Sequence, residues 1–210
     1  MKKVIDSLKW RYATKKFDST KLLSVEKIDT IKHAFNLTAT SYGLQPVKLV
    51  IFSNKKLQER LVKYTMDQIQ LSQASHVLVF CIETNIDKEF IGNYFNRVKQ
   101  VRNTSEAILN PFKDFLINDF EQKTQKQIED WATKQAYLTM GNLMTVCAFE
   151  NIDACPMEGF LPEKYDEILQ LNKQGLKSVL VMPIGYRAND DMFADFKKVR
   201  KELNNSVIEK

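Results

Sequence analysis

Two short stretches of the chain gather cations in an ordered way. One is Arg11-Tyr12-Ala13-Thr14-Lys15-Lys16-Phe17 and the other is Lys197-Lys198-Val199-Arg200-Lys201. In the second, spacing decides what the charges can do. On a helix, positions i and i+2 point roughly opposite ways, whereas in an extended chain they share a side. If residues 197–201 are extended, Lys198 and Arg200 converge while Lys197, Val199 and Lys201 face away. Two converging cations with an arginine from elsewhere suit a phosphate, because arginine offers a bidentate fork and lysine a point charge. Taken alone, either stretch reads first as a solvated basic face.

Other kinds of chemistry find no residues to carry them. No Gly-x-Gly-x-x-Gly follows a strand, and no Gly-Lys-Ser/Thr loop or Gly-x-Ser-x-Gly elbow occurs. With six glycines in all, a Rossmann or nucleoside-triphosphate cradle is not expected. The two histidines, His33 and His76, stand apart from any Cys or carboxylate at ligand spacing, so no metal site is expected. Cys81, Cys147 and Cys155 sit among apolar neighbours without regular spacing. They read as small buried residues in a reducing compartment rather than a disulfide framework. An enzyme built from this chain would take its chemistry from a cofactor.

Elements must position the cations. Val4, Ile5, Leu8 and Tyr12 make one helical stripe over residues 3–12, and Ser24 reads as the N-cap of a helix carrying Val25, Ile28, Ile31 and Phe35. Residues 47–52 (VKLVIF) read as a strand behind Pro46, and 56–64 as a helix. Residues 76–83 (HVLVFCIE) are nearly continuous in apolar character, which predicts a strand covered on both faces. Residues 86–120 are polar-aromatic and read as exposed helices projecting from the core. From 124 to 150, Ile128, Trp131, Gln135, Leu138, Asn142, Thr145 and Phe149 follow three-four spacing. From Ala136 onward Tyr137, Met140, Leu143, Met144 and Cys147 fill the other faces, so this helix is expected to end as the spine of a core or of a subunit interface. A tight loop follows at 155–160, a helical turn or two at 165–171, and a buried strand at 177–186. Few strands separated by helices give an α+β class with a helical majority.

The 210 residues suit one domain, and 44% hydrophobic with 27% charged residues is ordinary for a globular chain. A net charge of +5 is too mild to argue for nucleic acid. The longest apolar runs are about eight residues, against about 20 for a bilayer span, so no membrane partner is expected. Met1-Lys2-Lys3 runs straight into the first amphipathic segment. No secretory leader is therefore expected, and the expected location is cytoplasmic.

Six motifs in order resemble the FMN-dependent nitroreductase family, in its oxygen-insensitive NAD(P)H nitroreductase and dihydropteridine-reductase-like branch. LKWRYATKKFD is similar to an opening Arg-x-Ser-x-Lys-x-Phe signature. SYGLQPVKLVIF resembles a small-residue loop ending in Gln-Pro before a strand, and QASHVLVFC an Ala-Ser-His strand. KQAYLTMGNLMTVCAFENIDACPMEGF resembles a long helix followed by a Pro-x-Glu-Gly-Phe loop. GLKSVLVMPIGYR and the terminal Lys-x-Arg complete the series, which runs from about residue 3 to residue 201.

The resemblance implies a nitroreductase-like α+β fold over residues 1–210. It implies a central mixed sheet packed by helices, a long buried helix at a dimer interface and a helical excursion at about 86–122. It also implies a homodimer with FMN at the subunit interface. Arg11, Lys198 and Arg200 would meet the phosphate, with Tyr12 and Ala13 beside them. Lys15 would lie near the ring and ribityl chain, and Pro156, Glu158 and Gly159 over the ring. Thr40, Ser41, Gly43 and Gln135 would come from the partner subunit. Asp67 and Gln70 would stand where the family usually has Asn and Lys at the pyrimidine edge, and Ala13 where it often has Ser. A neutral Gln70 stabilises negative charge on reduced flavin less than a lysine would, which implies a lower midpoint potential. The activity implied is ping-pong transfer from NADH or NADPH to a nitroaromatic, quinone or similar flat small molecule, without a dedicated side-chain acid or base. Phe112, Phe115, Phe120 and Tyr94 fall in helices that the family uses to line its substrate channel. The alternatives are a dihydropteridine or flavin reductase on the same fold, or a flavin-binding module that is not an enzyme.

Overall fold

Behind Pro46, the run VKLVIF forms strand β1 (Val47–Phe52), and HVLVFCIE forms β2 (His76–Glu83). The two-residue strand β3 (Asp153–Ala154) and the long β4 (Leu176–Gly185) complete one sheet in the order β1-β2-β4-β3. All three pairings are antiparallel. The expected mixture of directions reduces to one isolated parallel bridge, Ala13 to Ala154. The computed structural model describes residues 2–210, so Met1, where the leader expectation begins, lies outside the described residues.

The continuous apolar run of β2 has a simple cause. Side chains alternate along a strand, and here both sides are covered. Leu78, Phe80 and Ile82 enter one core cluster, whereas Val77, Val79 and Cys81 enter another. Helices therefore sandwich the sheet. On the first side lie α2 (Val25–Asn36), α5 (Lys88–Arg102), α6 (Glu106–Glu121) and α7 (Gln125–Phe149). On the second lie α3 (Lys55–Val62), the four-residue α4 (Gln70–Gln73) and α8 (Pro162–Ile168). The first helix, α1 (Lys2–Trp10), packs on α7.

Local chemistry sets the boundaries. Ser24 caps α2 as expected, and Thr124 with Gln127 closes a reciprocal capping box at the start of α7. Asn103, in the left-handed region at φ 51°, ends α5.

Three expectations need correction. Helix α1 stops at Trp10 rather than Tyr12, because residues 13–17 are drawn into bridges with Ala154 and Arg187. Its Val4, Ile5 and Leu8 are exposed. On α7 the buried line is Ala132, Ala136, Met140, Leu143 and Cys147, while Leu138 and Asn142 of the expected stripe face outward. The excursion helices are not wholly exposed either: Ile91, Phe95, Leu116 and Phe120 are buried in the first core cluster. Among the described residues no helix is long and apolar enough to cross a membrane, and no three His, Cys, Asp or Glu side chains cluster as metal ligands. The three cysteines are buried and unpaired.

Candidate functional site

The first cation stretch runs alongside β3 and the end of β4. The Thr14 amide donates to the Ala154 carbonyl (3.3 Å), the Asp18 amide to Tyr186 (2.8 Å) and the Ala188 amide to Lys16 (3.0 Å). One carboxylate that no sequence pattern singles out organises this stretch. Asp191 Oδ2 accepts from the Tyr12 hydroxyl at 2.8 Å, the Lys15 amide at 2.9 Å and the Lys16 amide at 3.0 Å. Its Oδ1 accepts from the Phe193 amide at 3.2 Å. Burial alone would raise the Asp191 pKa, but these four hydrogen bonds outweigh it and hold the carboxyl below its ordinary range. Burial and the bond to Asp191 push the Tyr12 phenol up in turn. Lys16 is ion-paired with Asp190, whereas Lys15 is exposed.

Residues 197–201 of the second stretch lie in neither helix nor strand. The Lys198 ammonium donates to the Arg11 carbonyl, and Lys198 is half-buried. Val199 is 85% exposed, and Lys197 and Lys201 are exposed too. Burial and then the charge of Arg200 lower the Arg11 pKa. Burial, then Arg11, Arg200 and Arg187, lower that of Lys198. Arg11, Lys198 and Arg200 thus share one positive field from opposite ends of the chain, and among the described residues none of them pairs with a carboxylate.

Such a cluster should welcome an anion. Inorganic phosphate is expected to stabilise the ligand-free protein, by about 1.4 kcal/mol at ten times its Kd. For a chain of this size that is a rise in Tm of roughly 3–5 °C. Differential scanning fluorimetry checks it, and the rise should vanish in Lys198→Met.

The loop after β3 forms the next wall. Cys155 donates to the Pro183 carbonyl at 3.0 Å, and Met157 exchanges bonds of 2.8 and 3.1 Å with Val181. The chain then leaves the sheet at Glu158 and Gly159, whose amides have no acceptor among the described residues. The Tyr137 hydroxyl donates to Glu158 Oε1 at 2.9 Å, beside a cleft of about 410 Å³ lined by Met140, Met144, Pro156, Met157 and Leu180. Against this loop lies the turn holding Asp67. Met66 and Asp67 are consecutive left-handed residues, φ 52° and 53°. Gln70 is buried and donates to Gln68 Oε1 at 3.1 Å.

A second group of expected residues collects elsewhere on α7. The Ser41 amide donates to Gln135 Oε1 at 2.9 Å, and Gln135 donates back to the Trp131 carbonyl at 3.1 Å. Thr40 accepts from the Gly43 amide through its carbonyl (2.9 Å) and from the Gln45 amide through its hydroxyl (3.0 Å). Gly43 has φ 75°, and a Cβ there would come within 2.6 Å of the Tyr94 hydroxyl, so this turn requires glycine. Tyr42 lies beside Trp131 (6.5 Å) and Phe112 (6.3 Å), Phe115 stacks on Phe112, and Phe120 is buried edge-on to Trp131. Among the described residues no hydrogen bond joins this group to the one around Arg11. Helix α7 touches both, through Gln135 and Tyr137, which two-residue spacing sends to roughly opposite faces.

The chain belongs to the Nitroreductase family, whose family model matches residues 8–186. A Staphylococcus epidermidis protein provisionally named NAD(P)H nitroreductase is 34% identical over 195 residues, covering 89% of each chain. The oxygen-insensitive NAD(P)H nitroreductase of Salmonella typhimurium is 29% identical over 208 residues, covering 95% of each. The fold is that of solved nitroreductase-like proteins. A Bacillus subtilis structure superposes with a TM-score of 0.89 at 20% identity over all of both chains. An Exiguobacterium sibiricum structure, described as a nitroreductase in complex with FMN, gives 0.82 at 18% identity over 99% and 97%.

Proposed function

We propose that the protein is an FMN-dependent NAD(P)H oxidoreductase that works as a cytoplasmic homodimer and reduces nitroaromatics, quinones or similar flat acceptors in a ping-pong cycle. One observation carries the reading. Arg11, Lys198 and Arg200, which among the described residues have no carboxylate partner, gather at one end of a stretch whose other end leads, through the Ala154 bridge, to the amides of Glu158 and Gly159, which among the same residues have no acceptor. That arrangement suits a ligand with a phosphate at one end and a hydrogen-bond-accepting ring at the other. The family membership and the FMN named with one neighbour support it.

In this reading Arg11, Lys198 and Arg200 hold the phosphate, Tyr12 and Ala13 shape the strand beside it, and Lys15 lies toward the ribityl chain. Pro156, Glu158 and Gly159 cover the ring, with the Glu158 amide directed at it, while Asp67 and Gln70 stand at its pyrimidine edge. Thr40, Ser41 and Gly43 lie against the flavin of the other protomer, and Gln135 meets its ribityl chain or phosphate. That assignment is supported by their separation from the Arg11 group and by the outward-facing Tyr137, Leu138, Val4, Ile5 and Leu8 that a dimer would cover. Bound there, FMN supplies hydride acceptance and donation. The protein has only to bind, orient and exclude water, so no side-chain acid or base is required. Residues 1–210 form one domain in this reading, with α5 and α6 as the excursion that lines the acceptor's entry. The buried, unpaired cysteines support a reducing compartment.

The purified protein is expected to be yellow, to release FMN on heating, and to oxidise NADH or NADPH anaerobically only when a nitroaromatic or quinone is added. A colourless dimer that cannot be reconstituted with FMN would overturn the reading. Gln70 offers a finer test. Gln70→Lys places a positive charge at the pyrimidine edge and is expected to raise the FMN midpoint potential. Potentiometric titration of both forms reads this directly, and an unchanged potential would remove Gln70 from the site.

A further inference from the structure

Just past β4, Arg187 is gripped by several groups at once. Its backbone amide donates to Asp153 Oδ2 at 2.8 Å, and its Nε and Nη2 lie 2.7 and 2.6 Å from Oδ1. Asp153 is only 4% exposed, so the guanidinium is its necessary counter-charge. Two aromatic rings press on that guanidinium. Its central carbon lies 4.2 Å from the Trp10 ring centroid and 4.6 Å from that of Tyr12. The Tyr12 ring is fixed from its far end as well, by its hydroxyl on Asp191 at 2.8 Å.

The two rings belong to the residues on either side of Arg11. Where the chain leaves α1 and becomes extended, neighbouring side chains point to different sides. Holding Trp10 and Tyr12 on one side therefore directs Arg11 to the other. There its guanidinium shares the field of Arg200, and its carbonyl takes the Lys198 ammonium. From the helix side, the Arg11 amide still donates to the Ser7 carbonyl at 3.1 Å. The charge of Arg187 is itself taken up by Asp153, so Arg187 is poorly placed to serve as a ligand.

We propose that Arg187 is a positioning residue for the anion site: by holding Trp10 and Tyr12 against Asp153, it aims Arg11 at the phosphate that Lys198 and Arg200 share. This rests on the FMN reading above. An arginine is required because only a planar guanidinium can bind a carboxylate through its edge and still offer its faces to rings. Lysine would keep the charge and lose the geometry.

The test uses Arg187→Lys and, as a variant that leaves the Asp153 pair intact, Trp10→Leu. Full-length protein stripped of cofactor is titrated with FMN and separately with riboflavin, which lacks the phosphate, following flavin fluorescence. Each variant is expected to weaken FMN binding about five- to tenfold, the worth of one lost arginine–ring contact, and to leave riboflavin binding unchanged. In an Arg11→Ala background neither should add a further loss, because the effect runs through Arg11. Equal losses for FMN and riboflavin, or full additivity with Arg11→Ala, would overturn the positioning role and leave the FMN reading standing. Wild-type protein that binds FMN no better than riboflavin would overturn the phosphate reading, and this proposal with it.

Discussion

Arg200→Ala is expected to release FMN, whereas Lys201→Ala is expected to leave it bound. The two residues are neighbours, carry the same charge and are both exposed. Net charge and sequence position therefore cannot separate them, but direction can. Two-residue spacing puts Arg200 on the side of Lys198 in an extended segment, and the charge of Arg200 lowers the pKa of both Lys198 and Arg11. A charge-assisted hydrogen bond to phosphate is worth about 1.5–3 kcal/mol, so losing Arg200 should raise the Kd roughly 10- to 150-fold. Exposure and salt pull the figure toward the lower end. Lys201→Ala should stay within about twofold, the scale of a solvated surface charge. Lys198→Ala should exceed both, because its ammonium also ties the Arg11 carbonyl. Fluorescence titration at low and physiological salt measures all three. Equal losses from Arg200→Ala and Lys201→Ala would make the stretch a generic basic patch.

The same segment shows what could be read from the residues alone. The alternation of Lys198 and Arg200 with Val199 is an argument from spacing alone, to which the structure adds the bond from the Lys198 ammonium to the Arg11 carbonyl. Strand β2 was legible because a continuous apolar run has few other uses, and α7 because its three-four pattern is long. The devices that hold the cations in place were not. Asp191 sits in an Asn-Asp-Asp turn that looks like any polar loop, and Asp153 and Arg187 are 34 residues apart in sequence. Their roles depend on β3 meeting β4, a long-range pairing that no local pattern encodes. The stripe of α1 shows a related limit: periodicity reports an apolar face but not what covers it, and Val4, Ile5 and Leu8 face outward from their own chain. The loop residues Thr40, Ser41 and Gly43 came from the family resemblance alone, since three small residues in a turn carry no chemistry of their own.

Packing around the site predicts a large effect from one methyl group. Gly185→Ala is expected to destabilise the protein by about 2 kcal/mol, as overpacking typically does, lowering Tm by roughly 4–8 °C. A Cβ at Gly185 would stand 3.0 Å from the Ser75 amide nitrogen, 3.2 Å from Phe17 Cδ1 and 3.4 Å from Ser75 Cβ. None of these can yield cheaply. Ser75 is fixed by bonds of 2.8 Å from the Leu23 amide and 2.9 Å to His76 Nδ1, and Phe17 is 2% exposed and bridged to Arg187. Gly159→Ala is the control. Its Cβ would meet Met66 Sδ at a closer 2.7 Å, yet Met66 is 74% exposed and can swing into solvent. That change should therefore cost less than about 0.5 kcal/mol, despite the tighter contact. Thermal unfolding of the two variants thus tests whether the rigidity of the neighbour, rather than the distance, sets the cost. A shifted Phe17 also pulls on the Arg187 bridge, so Gly185→Ala should loosen FMN binding as well, while Gly159→Ala leaves the phosphate end untouched.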